Sequence, residues 1–358
     1  MRAMLIALLV ATPALAKNSI SDELSVNSTE ATSENPRAGN VADALDATFQ
    51  LNERFSLTAG AMLTLEGQTP AATAGAFGAS GSAVTLFSLG LDWDANDHVS
   101  TGVTLDFSPA SDQRSGTVLT IQDAKGGTSS VNALLGTHSR QAAVAFDVGY
   151  DTAGESDLEW AFTAGATFSE YDETQNVVAA RTKGTGGKPA DFDLKGYCAS
   201  HACSKALRSA LQAQSATLDS LRLSLEATAT LGTDTDLSLT GDTYLYAQDP
   251  AAVGIFSVGV AGRQTISGGN GVPIAPLRFL VKPEAVHRFG DFSAKLWVQG
   301  GQYVAEAGGS TQGVGTRLQY KVTRDLRFWL TLSGQKDVDS AGQESKSGAV
   351  ALGARYSY

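Results

Sequence analysis

The sequence contains little of what usually marks an enzyme, a metal centre or a redox site. Its 358 residues include only two cysteines, three methionines and four histidines. Cysteine and histidine are the usual ligands of structural zinc, so a framework of several zinc sites is excluded. The chain also has no P-loop, no HExxH motif and no GxGxxG that opens a helix. We therefore expect no cofactor, no metal and no catalytic residue.

Long apolar runs are equally scarce. At the start of the chain, Arg2 precedes the apolar run Met4–Val10 and the small-residue sequence Ala14-Leu15-Ala16. This order is typical of a secretory signal peptide, so residues 1–16 are expected to be removed, with a short membrane anchor as the alternative. The run is well below the ~20 residues of a spanning helix, and no later run is long enough. A membrane location would therefore require strands.

Positive charge is in the minority. The chain has 26 Lys and Arg against 37 Asp and Glu, a formal net charge of −11. This balance argues against nucleic acid as a partner and against docking on anionic lipid surfaces. The mean hydropathy is −0.06, close to neutral. Strands that alternate apolar and polar residues average to such a value, so a barrel can have the composition of a soluble protein.

The sequence does contain a clear alternation of apolar and polar residues. Apolar residues fall on alternate positions in about twelve segments between Phe55 and Tyr358, which is the pattern of strands with one apolar and one polar face. Short connections such as Asn96–His98 and Arg288–Asp291 alternate strictly with long ones. A soluble all-β domain is the alternative, and it is disfavoured by the signal peptide and by this rhythm. The last segment carries the pattern at Val350, Leu352, Ala354, Tyr356 and Tyr358.

This final strand resembles the C-terminal recognition strand of Gram-negative outer-membrane β-barrel proteins. In that family an aromatic last residue and a second aromatic two residues earlier address the chain to the insertion machinery, and Tyr358 and Tyr356 hold these positions. The resemblance implies an all-β fold, a transmembrane antiparallel up-and-down β-barrel of about 12 strands with long extracellular loops. It also implies outer-membrane lipids and the barrel-assembly machinery as partners, and both chain ends in the periplasm.

The barrel is predicted to span residues 53–358. Residues 17–52 begin with a polar stretch and are predicted to form a periplasmic N-terminal arm. Within the arm, Val41–Leu51 is a candidate plug or extra strand. Counting it as a strand would make the number odd and would place the N-terminus outside, so we leave it out of the predicted barrel.

The polar residues between the apolar ones should face the lumen, and their charges are divided by sequence. Apart from Arg222 and Glu284, acidic residues dominate the first strands and basic residues the last. Because sequence order is angular order in an up-and-down barrel, one wall should be acidic and the opposite wall basic. The acidic wall comprises Asp92, Asp94, Asp106, Asp147, Glu159, Glu226 and Asp242. The basic wall comprises Arg278, Lys282, Lys295, Arg317, Lys321, Arg327 and Arg355.

Two interpretations of these walls remain open. They would either create a transverse field across a water-filled pore, a charge layout that resembles the constriction of general porins, or form a network of salt bridges that fills a narrow lumen. We predict a channel for small polar or charged solutes, or part of an export or uptake route. The alternative is an adhesin, receptor or scaffold that acts through the long loop Ser169–Ala216. An outer-membrane hydrolase that uses His138, Ser139 and Asp112 is less favoured.

The two cysteines lie close together in the sequence. In an exported chain, Cys198 and Cys203 are most simply read as one disulfide. His201 lies between them, so a metal site completed by one further ligand is the alternative. The oxidising compartment favours the disulfide.

Overall fold

The computed structural model describes residues 18–29, 38–68, 80–122, 128–152, 158–183, 189–201, 203, 211–248, 277–304, 309–338, 342 and 344–358. Residues 1–16, expected to be a signal peptide, lie outside this set. The strands are β1 (Ser19–Thr29), β2 (Ala38–Gln50), β3 (Phe55–Gln68), β4 (Ser80–Asp94), β5 (Val99–Gln122), β6 (Thr128–Asp151), β7 (Leu158–Lys183), β8 (Pro189–Asp191), β9 (Gln214–Leu231), β10 (Thr235–Tyr246), β11 (Leu277–Phe289), β12 (Phe292–Tyr303), β13 (Ser310–Lys321), β14 (Leu326–Val338) and β15 (Glu344–Ser357). A short helix, α1, spans Leu194–Ser200.

The sheet closes on itself into an antiparallel barrel. Its first and last strands pair, with β1 and β15 in register from Ser19↔Ser357 to Thr29↔Ser347. Fifteen strands of the described residues belong to the sheet. Among them β8 pairs only with β7, so the closed ring contains fourteen. The all-β barrel is as predicted, but the expected number of about twelve strands is wrong.

The two additional strands, β1 and β2, occupy the segment that was predicted to be an arm outside the barrel. β2 pairs with β3 from Ala38↔Gln68 to Gln50↔Ser56, so both strands are integral to the ring. The pattern in β1 was missed because Asp22 stands among its apolar positions and because the intervening residues are small or polar, three of the six being serine. Because β1 was not recognised, adding β2 alone would have given an odd number of strands, and β2 was therefore left out of the predicted barrel. The other twelve strands all begin at Phe55 or later.

The outer face of the barrel is apolar and exposed. Leu225, Leu296, Val314 and Leu352 each expose between 59% and 67% of their surface. A soluble monomer seldom leaves a continuous apolar surface uncovered. A closed barrel with such an exterior satisfies its backbone hydrogen bonds internally and presents hydrocarbon to lipid. None of the described helices is long and apolar enough to cross a membrane.

The short turns and both described chain ends lie at one rim, which we call the turn rim. Asparagine side chains shape two of the turns: Asn52 Oδ1 accepts hydrogen bonds from the backbone N–H groups of Arg54 (2.8 Å) and Phe55 (3.0 Å), and Asn96 does the same for the next hairpin. The Tyr358 backbone N–H donates to the Asn18 carbonyl at 2.9 Å. An even number of strands returns the chain to the rim from which it started.

Aromatic rings collect near the turn rim. Phe55 stacks on Trp93 with ring centroids 6.1 Å apart, and Tyr356 stacks on Tyr358 at the same separation. Girdles of aromatic residues mark the boundary between hydrocarbon and water, where Trp and Tyr combine an apolar ring with a polar group. This rim therefore has the composition of a membrane interface.

Three strands are much longer than a bilayer requires. β5, β6 and β7 contain 24, 24 and 26 residues, whereas a tilted strand crosses a membrane in ~9–11 residues. On the outward face of β6, the apolar Phe146 and Val148 give way to Arg140 and His138 away from the turn rim. Arg140 forms an ion pair of 2.6 Å with Asp172 of β7. These strands therefore continue beyond the lipid as a tall polar wall.

The inner side of this wall supports a small separate core. Val131, Ala133 and Val177 of the wall pack against Leu194 of α1. Asp193 caps α1 by accepting a hydrogen bond of 2.9 Å from the Gly196 backbone N–H. Cys198 and Cys203 are joined by a disulfide in this core. The bond ties the end of α1 to the chain that follows it.

Candidate functional site

The lumen contains a polar cavity of about 740 Å³. Side chains from strands all round the ring line it, because alternate residues on each strand point inward. On β5, for example, Leu105 and Phe107 expose 46% and 52% of their surface outside, whereas Asp106 between them is buried in the lumen. The uncharged polar lining includes Ser25, Asn27, Asn40, Thr64, Thr104, Thr167, Ser169, Ser220, Gln299, Thr331, Ser333 and Gln335.

The basic side of the cavity contains a cluster of two lysines and one glutamate. Lys282 Nζ lies 2.7 Å from Glu284 Oε2, and Lys295 Nζ lies 2.6 Å from Glu284 Oε1. Two ammonium groups thus share one carboxylate. We call Lys282, Lys295 and Glu284 the lysine cluster. It carries a net charge of +1.

Arg317 of β13 lies beside the lysine cluster and is held by different partners. Its Nη2 is 3.0 Å from Glu23 Oε2, and its Nε donates to Thr331 Oγ1 at 2.9 Å. The same Glu23 oxygen accepts a hydrogen bond of 2.5 Å from Trp329 Nε1. Glu23 was not predicted as a lumen residue because it lies on β1. The alternation of Ile20, Leu24 and Val26 with polar residues was the signal that would have found it, although Asp22 interrupts it.

The acidic side is built mainly from β4, β5 and β6. A Cβ atom added at Gly102 would lie 2.7 Å from Asp147 Oδ1 and 2.9 Å from Asp92 Oδ1. Glycine on β5 therefore leaves room for carboxylates from the two neighbouring strands. Asp106 lines the cavity above this pair, together with Arg222 of β9.

The remaining predicted charges follow the strand order. The predicted acidic residues belong to β4–β10 and the predicted basic residues to β11–β15. Glu226 accepts a hydrogen bond of 3.3 Å from Thr240. Arg355 donates to Ser19 Oγ at 2.8 Å near the turn rim. Asp94, Glu159, Lys321 and Arg327 also lie near that rim, and Arg278 lies at the opposite end of β11.

Ion pairs in the described part of the lumen do not join the centres of the two walls. Arg222 of β9 approaches Asp242 of the adjacent strand at 3.9 Å, and Arg288 pairs with Asp236 in the same way. Among the described residues, no ion pair connects Arg317, Arg327 or Arg355 with Asp106, Asp147 or Asp242.

Two tryptophans lie on the inner face against glycines of neighbouring strands. The Trp297 ring covers Gly315, and the Trp329 ring covers Gly353, so any side chain at either glycine would collide with an indole. The Arg317 guanidinium lies 5.5 Å from the centroid of the Trp329 ring. Trp297 instead borders the cavity. The two rings thus have similar supports but different surroundings.

The residues considered for hydrolysis and for metal binding lie outside the cavity. His138 Nδ1 lies 2.9 Å from Asp112 Oδ1 on the outer face of the tall wall. Ser139 is adjacent to His138 on the same strand and therefore points to the opposite face, away from this pair. Both cysteines are in the disulfide, which leaves neither sulfur free to bind a metal. The described residues contain no group of three His, Cys, Asp or Glu that could hold a metal ion.

No family model and no curated protein matches the sequence. Solved structures do match in fold. CymD, a monoaromatic hydrocarbon channel, is 11% identical with a TM-score of 0.58, over 100% of this chain and 92% of that one. The Ralstonia pickettii toluene transporter TbuX is 11% identical with a TM-score of 0.57, over 98% and 93% of the two chains. A Pseudomonas aeruginosa FadL homologue, also 11% identical, has a TM-score of 0.52 over 95% and 89%.

The fold is that of Gram-negative outer-membrane β-barrels. The matched structures cover nearly the whole chain, β1 and β2 included. At 11% identity the likeness establishes architecture and not cargo.

Proposed function

We propose that this protein is an outer-membrane channel that passes small polar or charged solutes through its lumen. The observation that carries the proposal is the cavity of about 740 Å³, whose lining combines hydroxyl, amide and charged side chains. A lumen lined in this way offers hydrogen bonds in place of a solute's hydration shell. The predicted signal peptide would export the chain, and the turn rim would then face the periplasm.

The solutes named for two of the matched structures are apolar. CymD is a monoaromatic hydrocarbon channel and TbuX is a toluene transporter. The cavity described above contains Lys282, Lys295, Arg317 and Asp106, and an unaccompanied hydrocarbon would not replace the hydration that these groups lose. We therefore assign a similar conduit with a more polar cargo.

The separated charges support a field across the pore. The predicted acidic residues lie on β4–β10 and the predicted basic residues on β11–β15. Asp106 of the first set and Lys282, Lys295 and Arg317 of the second line the cavity. Such a field orients dipolar solutes and sets ion preference. The lysine cluster is the excess positive charge nearest the cavity, so we expect it to control the preference for anions.

Replacing Lys282 and Lys295 together with glutamine should shift the channel toward cations. The change converts the net charge of the cluster from +1 to −1, because Glu284 loses both ammonium partners. We expect a several-fold fall in the anion-to-cation permeability ratio, measured as the reversal potential of single channels in a KCl gradient across a planar bilayer.

The matched control is Lys336→Gln. Lys336 pairs with Glu344 at 2.6 Å on the outward face, away from the lumen, and its replacement should leave the ratio unchanged. Electrical silence of the folded wild-type protein would contradict the channel function. An unchanged ratio in the double variant would contradict the role of the cluster.

A further inference from the structure

Trp297 provides a flat aromatic surface on the wall of the cavity. One face of its indole is supported by Gly315 of β13, and the residue borders the cavity. Tryptophan over glycine is a common way to stabilise a sheet, and Trp329 over Gly353 shows the same arrangement. The two sites differ in the second neighbour: Arg317 lies over Trp329, whereas Trp297 faces the space in which a solute would move.

Cationic and polar groups flank this surface. Lys295 and Gln299 lie two residues on either side of Trp297 along β12, about 7 Å away on the same face. Glu284 is the register partner of Trp297 on β11, and it brings Lys282 and Lys295 together. The lysine cluster therefore lies beside the indole.

The net charge of +1 on the lysine cluster favours the binding of an anion. Glu284 neutralises only one of the two ammonium groups, whereas Arg317 is already paired with Glu23. A carboxylate that enters beside Glu284 would balance the second ammonium and accept charge-assisted hydrogen bonds. An anion that also carries an aromatic ring would gain contact with the indole face.

We propose that the lysine cluster and Trp297 form a binding site for small aromatic carboxylates, with a single ring carrying one carboxylate. The proposal rests on the channel function and names its substrate class. The ring lies on Trp297, and the carboxylate lies beside Glu284, where it accepts hydrogen bonds from the lysine cluster. The cavity of about 740 Å³ is within the ~300–1,000 Å³ usual for small-molecule sites.

Equilibrium dialysis of the full protein in detergent micelles tests the site, with radiolabelled benzoate as the probe and empty micelles subtracted. Benzamide has the same shape without the charge, and acetate has the charge without the ring. We expect benzoate to bind about tenfold more tightly than either, since each lacks one of the two contacts.

Variants separate the two contacts. Trp297→Leu should weaken benzoate binding about tenfold, and Trp297→Phe should restore most of it, because phenylalanine keeps an aromatic face. Lys282→Gln combined with Lys295→Gln should reduce benzoate binding to the level of benzamide. Lys336 and Trp160 lie on the outer surface, so the controls Lys336→Gln and Trp160→Leu should bind benzoate like the wild type.

Three results would overturn the proposal: no binding of benzoate, equal binding of benzoate and acetate, or equal binding of benzoate and benzamide that the lysine substitutions do not change. The channel function is judged separately by conductance. A protein that conducts KCl but does not bind benzoate remains a channel without this site. A protein that binds benzoate but never conducts has the site without the channel.

Discussion

A chain that lacks residues 18–50 should fail to form the closed barrel. The deletion removes β1 and β2, which join β15 to β3. Two edges with unpaired N–H and C=O groups would then face the bilayer, where no water can satisfy them. Arg317 would also lose Glu23, its partner at 3.0 Å.

Electrophoresis with and without boiling measures the folded fraction after refolding into lipid vesicles, because closed barrels resist the detergent until they are heated. The control is a chain that lacks residues 189–203, which contain β8 and α1 but no strand of the closed ring. This control should fold. Equal refolding of the 18–50 deletion and the full chain would show that β1 and β2 are dispensable and would restore the arm interpretation.

Leu225→Arg should destabilise the barrel by about 2–4 kcal/mol, the cost of an arginine near the bilayer midplane. Leu225 lies in the middle of the outward face of β9 and exposes 67% of its surface. Urea unfolding of the protein in lipid vesicles measures the difference in unfolding free energy.

The neighbouring substitution Ser224→Arg is the matched control. Ser224 is adjacent on the same strand and therefore faces the lumen, where it is the register partner of Asp242. An arginine there can reach water and a carboxylate, so we expect a change of at most about 1 kcal/mol. A similar loss for both variants would mean that the two faces of β9 do not distinguish lipid from lumen.

Local chemistry predicted most of the strands. Alternation was clear in twelve of the fourteen strands of the ring, as in Leu221–Leu231. The turns were marked by residues such as Asn96 that bond to the nearby backbone. β1 was missed because Asp22 falls on its outward face and serines fill much of its inward face, so its composition is that of a polar linker. The long loop predicted at Ser169–Ala216 proved to begin as strand, because β7 continues to Lys183 and strands outside the membrane need no apolar face.

The candidate site was likewise predicted only in part from the sequence. The acidic and basic sets were predicted from the two-residue period, which selects the inward residues, and from strand order, which divides them. Their contacts were not, because a period of two says which face a side chain occupies but not which residue lies beside it. Glu284 between two lysines depends on the register of β11 with β12, and the support of Trp297 depends on Gly315 in β13.

By itself, the sequence determined that the chain forms strands with an apolar outside and a charged inside, because side chains alternate along any strand. Only the tertiary structure decided how many strands close the ring, and which charges meet across the closure. Glu23 and Arg317 are 294 residues apart, and they touch because β1 completes the barrel against β15. Closure is a property of the whole sheet. In the bilayer each edge strand must pair with another strand, and no local sequence pattern specifies which strand that is.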